Sequence, residues 1–253
     1  GSTLTFAAKP QFEFRKLIIT KPDGSQRTLS LDWTSGGTSL FMQHLGPDGK
    51  LYGSSILPEH LFRSEIDPKS EADIIDFGQC STSGGEVYSM ANLTGKIYIH
   101  SYPEAKLSIY DPSKPYHFGL AEGDNPREVG RPDHVSYRPV QSVAGPAGKV
   151  WTVAVPDYGL WGGTLTWYDP KSNTFGSHRH LIENCSPTSI AFVEAINQLV
   201  IGLNIDGGTG TTPKAEQGGF VFWDADNDKA VATATFDIEH LATVNDVCDT
   251  ADG

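Results

Sequence analysis

The sequence predicts an all-β protein built from repeated four-stranded antiparallel units, and three observations support this. The 253 residues include 27 glycines and 16 prolines but 2 methionines, and short apolar runs alternate with turn residues. A tight turn that contains glycine, followed by lysine and a β-branched or aromatic run, recurs along the chain. An alternating apolar strand that ends in an Asp-led turn recurs between these glycine turns.

The first predicted element is the β-hairpin "FEFRKLIITKPDGSQRTLSLDW" at residues 12–33. Two alternating apolar runs flank the turn residues Pro-Asp-Gly, which is the pattern of a hairpin. We interpret it as the last two strands of a unit whose first two strands come from elsewhere, such as sequence beyond the C-terminus.

Four complete units follow the hairpin. Their first two strands are joined by the turns in "LGPDGKLYG" (45–53), "ANLTGKIYI" (91–99), "AGPAGKVWT" (144–152) and "EAINQLVIG" (194–202). Their third and fourth strands are joined by the turns in "LFRSEIDP" (61–68), "LSIYDP" (107–112), "LTWYDP" (165–170) and "FVFWDAD" (220–226). The glycine turns lie about 50 residues apart, a period typical of β-propeller blades of the kelch kind.

A fifth unit begins in "VNDVCDTADG" (244–253) and stops at its turn glycine. We therefore expect residues 1–253 to form one incomplete propeller domain that represents about five blades of a seven-bladed ring, with a truncated C-terminal blade. A second fragment or chain would complete the ring. The leading Gly1-Ser2 is typical of an expression scar.

Composition excludes several classes of partner. The net charge of −12 disfavours nucleic acids and anionic membranes. No apolar run approaches the roughly 20 residues of a membrane helix. The three cysteines, Cys80, Cys185 and Cys248, lack the spacing of a zinc site. We expect a secreted, cell-surface or periplasmic protein.

One stretch carries a resemblance to known families. The pair of motifs in "GKIYIHSYPEAKLSIYDP" (95–112) resembles the blade signature of carbohydrate-active propellers, including polysaccharide lyases and glycosidases that act on rhamnose–glucuronate linkages. It is also similar to propeller lactonases and to the virginiamycin-lyase type. The resemblance to the propeller superfamily covers nearly the whole chain. The resemblance to the carbohydrate-active families implies a polysaccharide or oligosaccharide substrate that contains a uronic acid.

The long, variable loops fall on one face of the predicted ring, and we expect the site at the channel mouth on that face. These loops are residues 101–106, 119–139, 155–163 and 205–219. The loop at 119–139 supplies a basic cluster that contains Arg131, His134, Tyr137 and Arg138. Guanidinium groups bind carboxylates bidentately. The alternatives are that Arg131 pairs with nearby acidic residues and that Arg138 bonds to a neighbouring blade.

Five further side chains are candidates for the same mouth. His100 ends a second strand, although it can equally be a structural histidine on a sheet face. Tyr102, Tyr158 and Trp161 lie in loops where exposed rings would stack on a sugar, and the alternative is a place in the core. Glu86 lies near the start of a first strand, as a site acid or as a paired, buried carboxylate.

We expect an enzyme that cleaves a uronate-containing polysaccharide by β-elimination. Arg138, backed by Arg131, would neutralise the uronate, and His100 or Tyr137 would remove the proton. His134 would deliver a proton to the leaving oxygen. No metal site or cofactor is expected, although a calcium-dependent lactonase could use the carboxylates and amide of Glu86, Asn245 and Asp246.

Two other functions remain open. A glycoside hydrolase at the same mouth would need a pair of carboxyl groups, for which Glu86, Glu104 and Asp157 are available. A propeller that binds a glycan or a protein without turnover would use the same residues for recognition alone.

Overall fold

The computed structural model describes residues 3–6, 16–30, 40–67, 69–70, 73–235, 238 and 240–248. The first strands, β1 (Thr3–Phe6), β2 (Lys16–Thr20) and β3 (Gln26–Ser30), form an antiparallel sheet in that order. The predicted hairpin is thus confirmed over residues 16–30, and its outer parts, 12–15 and 31–33, lie outside the described residues. The strand beside it is β1, from residues just before it in the chain, so the prediction that the neighbouring strand comes from elsewhere is wrong.

Four four-stranded antiparallel sheets follow, each built from consecutive strands, and we call them blades 1 to 4. Blade 1 contains β4 (Leu40–Leu45), β5 (Leu51–Ser55), β6 (His60–Ser64) and β7 (Ile74–Gln79). Blade 2 contains β8 (Glu86–Leu93), β9 (Lys96–Tyr102), β10 (Lys106–Tyr110) and β11 (Arg127–Gly130). Blade 3 contains β12 (Ser136–Ala144), β13 (Val150–Pro156), β14 (Thr164–Asp169) and β15 (Thr174–Arg179). Blade 4 contains β16 (Ser186–Val193), β17 (Gln198–Asn204), β18 (Gly219–Asp224) and β19 (Lys229–Ala234). The predicted all-β repeat of four-stranded units is confirmed.

The turns between the first two strands of each blade contain the predicted residues. Gly49, Gly95 and Gly148 have φ angles of 74°, 77° and 68°, and Asn197 has 51°. Glycine and asparagine are the residues that most readily adopt this left-handed conformation. The turn glycine expected at Gly253 lies outside the described residues.

Three of the four predicted Asp-led turns form, and the turn that begins at Asp67 continues into residues outside the described part of the chain. The Oδ1 atoms of Asp111, Asp169 and Asp224 accept hydrogen bonds from the backbone amides two residues ahead. Each side chain therefore closes its own turn.

The core lies between consecutive blades. Tyr52 and Leu61 of blade 1 pack in one buried cluster with residues of blade 2. Tyr98 of blade 2 belongs to a second cluster with Val150 of blade 3, and Trp151 of blade 3 belongs to a third with residues of blade 4. Each sheet is thus held by the apolar faces of its neighbours, as in a propeller.

The first strand of every blade is interrupted by a β-bulge close to its start. The strand pairing shifts between Leu40 and Met42, between Val87 and Ser89, between Ser136 and Arg138 and again between Pro139 and Gln141, and between Pro187 and Ser189. A bulge inserts one extra residue and reverses the alternation of side chains beyond it. Residues before each bulge therefore do not follow the parity of the rest of the strand.

The segment at 119–139 differs from the single long loop that the sequence predicted. Residues Arg127–Gly130 form β11, the outermost strand of blade 2, which pairs with β10. The connection that reaches blade 3 is consequently limited to residues 131–135.

A partly buried polar contact ties β11 to the connection between blades 1 and 2. The carboxylate of Glu128 accepts hydrogen bonds from the Ser81 hydroxyl (3.0 Å), the Thr82 amide (2.6 Å) and the Thr82 hydroxyl (2.7 Å). We expect Glu128→Gln to lower the free energy of unfolding by about 2 kcal/mol, because an amide group replaces an acceptor that faces three donors. Urea unfolding measures this effect. The exposed Glu122→Gln is the control, and equal stability of the two variants would contradict the prediction.

Candidate functional site

Four tyrosines and one arginine come together at the end of blades 2 and 3 where the first strands begin. We call Tyr88, Tyr102, Tyr137, Tyr158 and Arg138 the mouth cluster. Tyr88 belongs to β8, Tyr102 ends β9, and Tyr137 and Arg138 belong to β12. Tyr158 lies in the loop after β13. The bulges in β8 and β12 direct two of these tyrosines to the mouth.

The tyrosine rings form a continuous series. Tyr137 lies edge-on between Tyr102 and Tyr158, with ring centroids 5.4 Å and 5.3 Å away. Tyr88 lies 5.8 Å from Tyr102 on the other side. The hydroxyl oxygens of Tyr102 and Tyr158 are 3.3 Å apart. The cluster therefore presents apolar ring faces together with several hydroxyl groups.

Arg138 lies over this series through cation–π contacts. Its guanidinium carbon is 5.2 Å from the centroid of Tyr102 and 5.9 Å from that of Tyr88. Within the described part of the chain, no carboxylate lies within ion-pair distance of Arg138, and its buried Nε atom has no hydrogen-bond acceptor. The guanidinium is thus held by rings and keeps donors for an anion.

Arg131 is paired, in contrast to Arg138. Its Nη1 atom lies 3.4 Å from Glu104 Oε1, and its Nη2 atom lies 3.8 Å from Asp157 Oδ2. Nη2 also donates to the backbone oxygen of Ser136 at 3.3 Å. The arginine thus pairs with acidic residues of two loops, and these differ from its sequence neighbours.

Glu86 lies beside Arg138 and Tyr88. Burial raises the pKa of the Glu86 carboxyl, while the charge of Arg138 and a hydrogen bond from Tyr88 act in the opposite direction. Burial also raises the pKa of Tyr88. Glu86 and Tyr88 are therefore two titratable groups whose pKa values depend on each other and on the nearby guanidinium.

The structure places His100 in a buried network and not in the open mouth. The side chain is 3% exposed, with Nδ1 3.1 Å from Ser142 Oγ and Nε2 3.1 Å from Thr152 Oγ1. Ser142 in turn bonds to Ser89 at 2.7 Å. The structural alternative for His100 agrees with this environment, because a general base must reach the substrate.

Burial lowers the pKa of His100 to about 3. We therefore expect its ring to stay neutral from pH 5 to pH 8, since charging it would require hydration that the interior does not provide. NMR titration of the ring protons measures this, and the exposed His134 is the internal control. A His100 midpoint near 6.5 would contradict the prediction.

The remaining predicted residues, His134 and Trp161, have other surroundings. His134 is exposed. Trp161 donates its Nε1 proton to the Thr212 backbone oxygen at 2.8 Å, and the Lys214 ammonium lies 3.4 Å from its ring centroid. Among the described contacts, no hydrogen bond, ion pair or ring contact joins either residue to the cluster. One face of the Trp161 ring is covered by Lys214.

Sequence reasoning missed two groups. Tyr88 was not predicted, because its orientation depends on the bulge.

Glu59, in the loop after β5, is 1% exposed. Its Oε1 atom accepts hydrogen bonds from Ser101 Oγ (2.6 Å) and Cys80 Sγ (3.1 Å). Its Oε2 atom has no partner among the described residues, and burial raises its pKa to about 7. Nothing in its local sequence indicates this environment.

The residues suggested for calcium have other neighbours in the structure, with Glu86 beside Arg138 and Tyr88. Among the described residues, no three His, Cys, Asp or Glu side chains converge in a way that could hold a metal ion. Asp246 instead accepts a hydrogen bond from the Val247 amide, and Asn245 accepts one from the Thr243 hydroxyl.

The fold is similar to those of several solved structures. The hydrazine synthase of Kuenenia stuttgartiensis gives a TM-score of 0.59 at 10% identity, over 90% of this chain and 62% of that chain. A mitotic checkpoint complex gives 0.55 at 15% identity, over 92% and 60%. A streptogramin B lyase gives 0.49 at 15% identity, over 75% and 56%. The chain thus spans less than two thirds of each of these proteins.

The two similarities with TM-scores above 0.5, together with the repeated four-stranded sheets, show a β-propeller fold, and at such low identity they carry no information about activity. No family model matches the sequence, and no curated protein matches it.

Proposed function

We propose that the mouth cluster binds a carboxylate-bearing sugar of a uronate-containing oligosaccharide or polysaccharide. The observation that carries the proposal is the position of Arg138, whose guanidinium lies against two tyrosine rings without a carboxylate partner among the described residues. A planar guanidinium binds a carboxylate through two parallel hydrogen bonds. Its partly desolvated position strengthens such bonds.

The tyrosines support a sugar in preference to a small inorganic anion. A pyranose ring has an apolar face that packs on an aromatic ring and hydroxyl groups that bond to phenol oxygens. Tyr158 is 52% exposed, and its hydroxyl lies near that of Tyr102. A sugar carboxylate at Arg138 would place the ring beside these two groups.

The test is a titration of the protein with an oligogalacturonide and with its carboxyl-reduced, uncharged form. We expect saturable binding of the acidic oligosaccharide and at least tenfold weaker binding of the reduced form, because the latter lacks the partner of Arg138. Calorimetry gives both constants. Failure to bind oligogalacturonides and glucuronate-containing oligosaccharides alike would overturn the proposal.

Cleavage by β-elimination is a second candidate, and the Glu86–Tyr88 pair favours it. Arg138 would neutralise the uronate and acidify the neighbouring carbon. The Glu86 carboxylate would take the proton from that carbon, the bond to the leaving oxygen would break as a carbon–carbon double bond forms, and a tyrosine hydroxyl would protonate the oxygen. In this scheme Glu86 replaces His100 as the base, because His100 is buried.

Absorbance of an unsaturated uronate separates the enzyme from a binding protein. Its appearance with the substrates that bind supports elimination. Binding without any new absorbance, and without new reducing ends, supports recognition without turnover. The hydrolase alternative has less structural support, because Glu104 and Asp157 are both paired with Arg131.

The proposed ligand and location agree with each other. Uronate-containing polysaccharides are met outside the cytoplasm, so we propose a secreted, cell-surface or periplasmic protein. In the part of the chain that the structure describes, no helix has the length and apolar character needed to cross a membrane.

A further inference from the structure

We infer that Arg131 is a positioning residue that fixes the relative places of Tyr102, Tyr137 and Tyr158. The meaning of this inference for ligand binding rests on the proposed function. The structural claim is that one guanidinium links three segments that carry tyrosines. It depends only on the observed contacts.

The guanidinium of Arg131 contacts three separate segments. It reaches the side chain of Glu104, the backbone oxygen of Ser136 and the side chain of Asp157. Arg131 itself follows β11, the outermost strand of blade 2. One side chain thus links the loop between β9 and β10, the start of β12 and the loop after β13.

Each contact lies within two residues of a mouth tyrosine. Glu104 is two residues after Tyr102, Ser136 directly precedes Tyr137, and Asp157 directly precedes Tyr158. These tyrosines are the three whose rings meet edge to face at 5.4 Å and 5.3 Å. The arginine therefore links the three chain segments that carry these rings.

Arg131 does not have the geometry of an anion-binding residue. Its charge is opposed by the two carboxylates, with Glu104 also 3.2 Å from the Lys106 ammonium. Its side chain is 21% exposed, and its buried Nε atom has no acceptor in the described structure. A ligand carboxylate would have to compete with two protein carboxylates at this guanidinium, whereas Arg138 has none in ion-pair contact.

The two roles predict different results for the same variants. If Arg131 positions the tyrosines, Arg131→Lys should weaken ligand binding almost as much as Arg131→Gln does, because an ammonium cannot bridge three acceptors in a plane. Removing its partners in Glu104→Gln/Asp157→Asn should have the same effect. If Arg131 instead binds the ligand, Arg131→Lys should retain most of the wild-type affinity. The double variant should then bind the ligand more tightly than wild type.

The experiment combines affinity with a signal from the tyrosines. The protein is labelled with 3-fluorotyrosine, and the ¹⁹F resonances of the three tyrosines are assigned with Tyr→Phe variants. Affinity for an oligogalacturonide is measured over a range of salt concentrations for wild type, both Arg131 variants and the double variant. Lys50→Gln, which removes an ion pair with Glu65 on blade 1, is the control.

We expect about tenfold weaker binding in Arg131→Gln, Arg131→Lys and the double variant, with the salt dependence of wild type, because aromatic contacts are lost and the Arg138 ion pair is kept. The three ¹⁹F resonances should shift in these variants and remain unchanged in Lys50→Gln. A flattened salt dependence in Arg131→Gln, or near-complete rescue by lysine, would overturn the inference.

Failure of the inference is distinguishable from failure of the proposed function. If wild type binds no uronate oligosaccharide, the proposed function fails. The ¹⁹F spectra alone then decide whether Arg131 positions the three tyrosines. Shifted resonances in the Arg131 variants and the double variant would then support positioning, and unchanged resonances would exclude it.

Discussion

Arg138→Ala is expected to weaken binding of a uronate oligosaccharide by about 30- to 100-fold, the loss that follows when a bidentate, charge-assisted contact is removed. The guanidinium is held by the rings of Tyr88 and Tyr102 and makes no ion pair with a described residue, so its removal breaks no salt bridge there and only raises the pKa of the nearby Glu86 carboxyl. The fold should therefore tolerate the change. Calorimetry with an oligogalacturonide measures the loss.

Two controls separate this effect from a general loss of charge. Arg63→Gln removes an arginine that also contacts an aromatic ring, Phe77 at 5.5 Å, on blade 1. It should bind as wild type does. Binding by Arg138→Ala should also become nearly independent of salt, because the ion pair carries the dependence. Equal affinities of Arg138→Ala and Arg63→Gln would refute the assignment of the site.

Glu59→Gln is expected to remove a dependence of stability on pH that amounts to about 3 kcal/mol. The carboxyl has a pKa of about 7 in the folded protein and an ordinary value of 4.5. The folded state thus binds more protons between these values. The contribution of Glu59 to the free energy of unfolding is fully present below pH 4.5, falls as the pH rises and is lost above pH 7.

The variant keeps an oxygen that accepts from Cys80 and Ser101, and it carries no charge at any pH. We therefore expect it to be less pH-dependent than wild type and more stable at pH 8, where wild type must bury a carboxylate. Urea unfolding at pH 5, 6, 7 and 8 measures the difference. The exposed Glu216→Gln is the control, and parallel curves for wild type and Glu59→Gln would show that Glu59 is not protonated on folding.

The repeat was predictable because its signals are local. A left-handed turn residue such as Gly95 and an Asp-led turn such as that of Asp111 act within a few residues of themselves. Their regular recurrence gave the blades, and alternation along the strands gave the core between them. The prediction of seven blades in the full ring has no test in the described residues.

The site was only partly predictable, because it depends on register and on distant partners. Arg138, Tyr102, Tyr137 and Tyr158 were placed at the mouth from loop position and strand parity. Tyr88 was missed because a bulge reverses parity at the start of β8.

The partners of Arg131 and the environment of Glu59 were also beyond prediction. Glu104 and Asp157 are 27 and 26 positions from Arg131 in the chain and meet it only in the folded protein. The burial of Glu59 arises where blade 1 packs on blade 2. Contacts between residues that are distant in the sequence cannot be predicted from a local sequence pattern.

The bulges in the first strands have a consequence for how such a protein can diversify. In β8 and β12 they separate the positions of Tyr88, Tyr137 and Arg138 near the strand start from a longer inner part whose apolar residues enter the core. Substitutions at positions such as Glu86, Tyr88 or Arg138 therefore leave the apolar pattern of the inner part intact. Recognition and folding can vary independently along a single strand, so the outer parts are the natural positions for redesigning ligand preference in this scaffold.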